Sequence, residues 1–157
     1  MVIRYIITTA CAVAAVATMA HAQRMRPVLD LSTAATIQES CLSHARKSGQ
    51  AIAIAVYDHS GELISFAKMD AASTAAAEIA KWKGKSSSTY GFSTAQTAEW
   101  NGPTAPYIAT FQGGLPLFDS DGIMIGGVGV SGAPSEFDEE CGRKGADAVG
   151  LLTERPS

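Results

Sequence analysis

The stretch AIAIAVYDHSG, residues 51–61, decides the fold. Its first seven residues alternate alanine with isoleucine or valine before a closing tyrosine, so the larger side chains share one strand face and the alanines the other. Because both faces are apolar, the pattern predicts a central strand with neighbours above and below the sheet. Residues 58–61 are turn formers, and the following strand over 62–69 completes a predicted β-hairpin.

Helices are predicted on either side of this hairpin. Ala34, Ile37 and Cys41 recur at helical spacing, in a helix that Asp30 or Ser32 caps and a glycine ends. A second helix is predicted over 73–90, although its glycine and run of serines weaken its later turns. A short third helix is predicted over 93–100.

A second hairpin follows, with predicted strands over 113–118 and 123–130. The second strand carries three glycines, which indicate that something packs against its backbone or that it bends. A last helix is predicted to start with Ser135 as its cap, with acidic residues in its first turns. The order of helix, hairpin, helices, hairpin and helix predicts an α+β layered domain with a mainly antiparallel sheet.

The N-terminus has the features of a secretory signal. Arg4 precedes an uncharged run that closes on Ala20-His21-Ala22, and the apolar run of about 16 residues falls short of the roughly 20 that span a bilayer. The sequence therefore predicts a cleaved signal over 1–22 and one mature domain over 23–157. We expect that domain to be periplasmic or secreted, and not membrane-bound after cleavage.

Charge and composition exclude some partners. The formal net charge is −3 and 46% of the residues are hydrophobic, which is a globular composition without a basic stripe. Nucleic acid and anionic lipid surfaces are therefore not expected partners.

Two cysteines remain after the signal. Cys41 and Cys141 both fall on the inward faces of predicted helices. If the first and last helices lie side by side, these residues could form a disulfide, which an oxidising compartment would preserve. The alternative is a pair of separate buried thiols.

One predicted helix is unusually polar. Three lysines, at 81, 83 and 85, precede the serines and threonine of residues 86–89. Such a segment could line an anion site, although a solvated helix face is the simpler interpretation.

The sequence resembles a known family in several blocks that occur in the same order. The most specific is GGLP at 113–116, followed by IGGVGVSGA at 125–133 and by Asp138-Glu139 with Cys141. Upstream, the hairpin residues around Asp58, KMD at 68–70 and EIA at 78–80 with Lys83 agree as well. Over residues 28–152 the chain is similar to the GlcG/HbpS family of haem-degrading-domain proteins.

This resemblance implies a profilin-like fold, a homo-oligomer, and haem or a related tetrapyrrole or iron as ligand. It places Ser86 where one branch of the family has a haem-contacting threonine, and Glu78 at an acidic position linked to iron. The helix departs from the family pattern at Gly84, where alanine is usual. The predicted ligand-binding residues are Glu78, Lys83, Ser86, Gly113, Gly114, Pro116 and Ser131.

Two other functions remain open. A small-molecule isomerase or lyase could use Lys83 or Glu78 as an acid or base in the same pocket, with a small organic acid as ligand. A structural oligomer stabilised by its disulfide would need no ligand at all.

Overall fold

The chain was analysed as a computed structural model that describes residues 25–100, 102 and 105–156. The predicted signal, residues 1–22, lies outside the described residues and stays a prediction. Within the described part of the chain, no helix has the length and apolar character needed to cross a membrane. The elements, in chain order, are α1 (Leu31–Lys47), β1 (Ala53–Asp58), β2 (Leu63–Lys68), α2 (Thr74–Tyr90), α3 (Thr94–Ala98), β3 (Gly114–Phe118), β4 (Met124–Ser131) and α4 (Ser135–Asp147).

The four strands form one antiparallel sheet in the order β2-β1-β4-β3. Strand β1 is central, as its two apolar faces predict. Ile54 and Val56 pack in the main core with α1 and α4, whereas Ala53 packs against Ala77 and Ala80 of α2. The sheet is therefore covered on both faces, and the predicted α+β layered architecture is confirmed.

Local sequence sets the ends of the helices. The Asp30 carboxylate accepts a hydrogen bond from the Thr33 N–H at 2.7 Å and caps α1. Ser73 caps α2 in the same way, and Gly91 ends that helix in the left-handed conformation (φ 72°).

The expected cap of α4 is wrong by one residue. The N-cap is Pro134, which offers no side-chain cap, and Ser135 is the first helical residue.

Helix α2 runs unbroken from Thr74 to Tyr90, so the predicted weakening of its later turns does not occur. The serines at 86, 87 and 88 are fully buried, and so is Gly84. The interpretation of this segment as a solvated face is therefore wrong for Lys83 and the three serines, whereas Lys81, Lys85 and Thr89 remain at least partly exposed. Burial against the sheet outweighs the low helix propensity of the serines and Gly84.

The strand glycines make this close packing possible. A Cβ on Gly127 would lie 2.5 Å from Ser88 N, and one on Gly129 would overlap Ala80 O and Gly84 N. The backbone of α2 thus fills the space over these glycines.

Gly129→Ala should therefore lower the free energy of unfolding by about 3 kcal/mol, because rigid backbone must move to admit the methyl group. Gly142→Ala is the matched control: in α4 a Cβ at this position meets its nearest neighbours, Leu115 and Val128, at 3.5 Å. It should be neutral or stabilise by up to about 1 kcal/mol through helix propensity. Urea unfolding of both variants measures the difference, and equal stabilities would contradict this packing.

Candidate functional site

A buried ion pair connects α2 and α4, which lie on opposite faces of the sheet. Lys83 Nζ, from α2, lies 3.1 Å from Asp138 Oδ2, from α4, and both side chains are only 2% exposed. The ammonium also donates to the Val130 carbonyl oxygen at 2.8 Å. Asp138 Oδ1 accepts from the Ala133 N–H at 3.2 Å, so both charged groups have further polar partners.

Burial acts on both members of the pair. It lowers the pKa of Lys83 and raises the pKa of Asp138, while the charge of each partner opposes the shift. Desolvation is the larger influence in both cases. The site therefore brings both groups closer to their neutral forms than they would be in water.

Two predicted glycines shape the space around the pair. Gly113 has φ 120°, and a Cβ there would lie 2.7 Å from Lys83 Nζ and 2.8 Å from Asp138 Cβ. At Gly114 a Cβ would lie 2.6 Å from Thr94 Cγ2. The Gly114 N–H donates to Thr94 Oγ1 at 2.8 Å. Protein atoms therefore occupy the space beside these glycines. Contact between either glycine and a ligand stays a prediction.

A small cavity opens beside the ion pair; we call it the Lys83 cavity. Its volume is about 120 Å³. Ser131 lies in its wall and is 7% exposed. The lining residues are Ile79, Lys83, Phe111, Ser131, Ala133, Ser135 and Asp138.

The other predicted residues of α2 lie elsewhere. Ser86 is fully buried, and its hydroxyl accepts the Ala109 N–H at 2.9 Å, which fixes the segment before β3. Glu78 is on the exposed face and accepts from Lys81 Nζ at 2.8 Å. In the described part of the chain, no three histidine, cysteine, aspartate or glutamate side chains are placed to hold a metal. Ligand contact by Ser86 and iron binding by Glu78 stay predictions.

Pro116 lies in a second and larger space, the Tyr90–Arg155 cleft, of about 610 Å³. Arg155 lies over the ring of Phe118 at 5.4 Å from its centroid. The Tyr90 hydroxyl donates to the Pro106 carbonyl oxygen at 2.5 Å. The lining residues are Tyr90, Gly91, Phe92, Gln96, Pro116, Phe118, Thr153, Glu154 and Arg155.

The structure thus divides the predicted set of site residues. Lys83, Gly113 and Ser131 come together around the ion pair, whereas Glu78, Ser86 and Pro116 do not join them. Sequence reasoning missed Asp138 because an acid near a helix N-terminus is already explained by the helix dipole. A signal was available, since a lysine in an apolar face of α2 requires a buried acidic partner.

The disulfide joins the two helices on the opposite face of the sheet from α2. Cys41 and Cys141 are bonded, with Cα atoms 4.8 Å apart, and both are fully buried. Their predicted pairing is confirmed, because α1 and α4 lie side by side in the main core. The alternative of two separate thiols is wrong.

Comparison with known proteins defines the class: the chain belongs to the HbpS-like family, described as haem degrading protein HbpS-like, which matches residues 29–147. Protein GlcG of Escherichia coli strain K12 is 31% identical over 114 residues, covering 69% of this chain and 84% of the relative. The resemblance predicted from the sequence is confirmed.

Solved structures agree with the fold. A double mutant of Streptomyces reticuli HbpS superimposes with a TM-score of 0.76 at 28% identity, covering 88% of this chain and 99% of that one. A PduOC–haem complex superimposes with a TM-score of 0.75 at 20% identity, covering 82% and 100%. At that identity the second comparison supports the fold alone.

Proposed function

We propose that this protein binds haem or a related tetrapyrrole in the Tyr90–Arg155 cleft. Membership of a family described as haem degrading supports the ligand class. The cleft itself carries the proposal, because its volume of about 610 Å³ falls in the range of small-molecule sites. The Lys83 cavity, at about 120 Å³, is far too small for a macrocycle.

The residues of the cleft fit the chemistry of such a ligand. Tyr90 and Phe92 offer aromatic surface to a flat apolar ring, whereas Phe118 is buried beneath Arg155. Arg155 would pair with a propionate through its planar guanidinium. The Tyr90 phenol is of the kind that ligates haem iron in some proteins. Bound haem would supply redox chemistry at its iron, and these side chains would hold and orient it.

A haemin titration of the mature, oxidised protein tests the proposal. We expect a saturable Soret shift, weakened about tenfold in Arg155→Ala and in Phe92→Ala, because each variant removes ring or propionate contacts worth roughly 1–2 kcal/mol. Tyr90→Phe should change the spectrum if the phenol binds iron, while circular dichroism confirms that each variant is folded.

Glu78→Ala serves as the matched comparison for the location of the site. If haemin binds in the cleft, Glu78→Ala leaves the affinity unchanged, because Glu78 does not line it. Weakening by Glu78→Ala with no effect of the cleft variants would move the site to the exposed face of α2. Absence of any saturable shift in the wild-type protein would overturn the proposal.

We further propose that the mature protein is exported and forms a homo-oligomer. The buried disulfide supports export, because such bonds persist in oxidising compartments. Strand β2 is an edge of the sheet and carries the partly exposed Phe66, so pairing with a second copy along this edge supports self-association. Cell fractionation and light scattering test the two points, and a cytoplasmic or monomeric protein would contradict them.

A further inference from the structure

We propose that the Lys83 cavity is a second site, in which the amine of Lys83 condenses with the carbonyl group of a small 2-oxo acid to form an imine. This inference is independent of haem binding in the Tyr90–Arg155 cleft. It rests on the position of Lys83 and Asp138, on the cavity beside them, and on the Ser131 hydroxyl in its wall.

The nucleophile is already positioned and desolvated. Lys83 Nζ has two described partners, Val130 O at 2.8 Å and Asp138 Oδ2 at 3.1 Å, and it lies in the wall of a cavity. A lysine becomes nucleophilic when burial disfavours its ammonium form. Asp138 lies within proton-transfer distance, and it is the only other titratable side chain among the described residues that line the cavity.

The rest of the cavity fits the acid end of such a substrate. Ser131 and Ser135 both line the cavity, and their hydroxyl groups can donate hydrogen bonds to a carboxylate. A volume of about 120 Å³ equals roughly four waters, so only a substrate of a few heavy atoms fits.

The condensation balances with the two side chains alone. Asp138 accepts a proton from the Lys83 ammonium, and the amine lone pair forms the C–N bond to the carbonyl carbon. One proton moves from nitrogen to the former carbonyl oxygen, which gives a carbinolamine. Asp138 then returns its proton to that hydroxyl group, which leaves as water. The products are an iminium on Lys83, the Asp138 carboxylate and one water molecule.

Reductive trapping of the mature, oxidised protein tests this site. The protein is incubated with pyruvate and cyanoborohydride at neutral pH, and the modified lysines are mapped by peptide mass spectrometry. We expect a carboxyethyl group on Lys83, formed with saturable dependence on pyruvate and at least tenfold faster than on Lys81 and Lys85. Those two lysines are internal controls, because they lie on the same helix and are more exposed.

Two variants separate chemistry from mere accessibility. Ser131→Ala should raise the pyruvate concentration needed for half-maximal labelling, and Asp138→Asn should slow labelling at least tenfold in protein that circular dichroism shows to be folded. Labelling of Lys81 and Lys85 with none at Lys83, or labelling of Lys83 no faster than theirs, would overturn the proposal. The relative labelling rates of the wild-type protein decide between these outcomes, even if a variant fails to fold.

Haemin titration of the labelled protein should be unchanged, because the Tyr90–Arg155 cleft is separate from the Lys83 cavity.

Discussion

The double variant Cys41→Ala, Cys141→Ala should lose about 4–5 kcal/mol of unfolding free energy, the largest effect of any change considered. The bond closes a loop between residues 100 positions apart, and on the chain-entropy model such a loop strongly restricts the unfolded chain. The bond is also fully buried between α1 and α4, so its loss removes packing as well. Urea unfolding of the variant and of the oxidised mature wild-type protein measures the loss.

Reduced wild-type protein provides the control for the disulfide. It keeps both sulfur atoms but lacks the bond, so it should lose most of the same free energy, and the remaining difference from the double variant reports the packing that alanine removes. A variant within about 1 kcal/mol of the oxidised wild type would show that the bond contributes little to stability.

The second large effect is expected at the buried ion pair. Lys83→Met leaves Asp138 buried without its cation, and Asp138→Asn leaves the ammonium of Lys83 without a carboxylate. Each should cost about 3–5 kcal/mol, since removing one partner strands an uncompensated buried charge. Asparagine keeps an acceptor for the Ala133 N–H, so its effect reports the charge rather than that hydrogen bond.

The double variant Lys83→Met, Asp138→Asn completes the cycle. We expect it to be no less stable than either single variant, because no charge is then left unpaired. Urea unfolding of all four proteins at one pH measures this coupling. Losses that simply add would mean that the two groups do not interact in the folded protein.

Much of the fold was predictable because its signals are local. The alternation in residues 51–57 indicated a central strand, and helical spacing placed Cys41 on the inward face of α1. The glycines of β4 indicated that something packs on its backbone, but not that α2 does so. That contact depends on two elements about 40 residues apart, and no periodicity reports it.

The candidate sites were less predictable. Lys83 and Asp138 are separated by 55 residues, and each alone has an ordinary explanation as a surface charge. The Tyr90–Arg155 cleft brings together the end of α2, strand β3 and the C-terminal segment, of which the sequence indicated only Pro116. Sites built from distant segments become visible only when the fold is known.

The central claim is that a tetrapyrrole binds in the Tyr90–Arg155 cleft. The most direct measurement is a map of backbone amide chemical shifts in the mature protein as gallium(III) protoporphyrin, a diamagnetic analogue of haemin, is added. The account predicts saturable shifts centred on Gly91, Phe92 and Phe118. Shifts centred on the exposed face of α2 around Glu78, or no saturable shift anywhere, would contradict it.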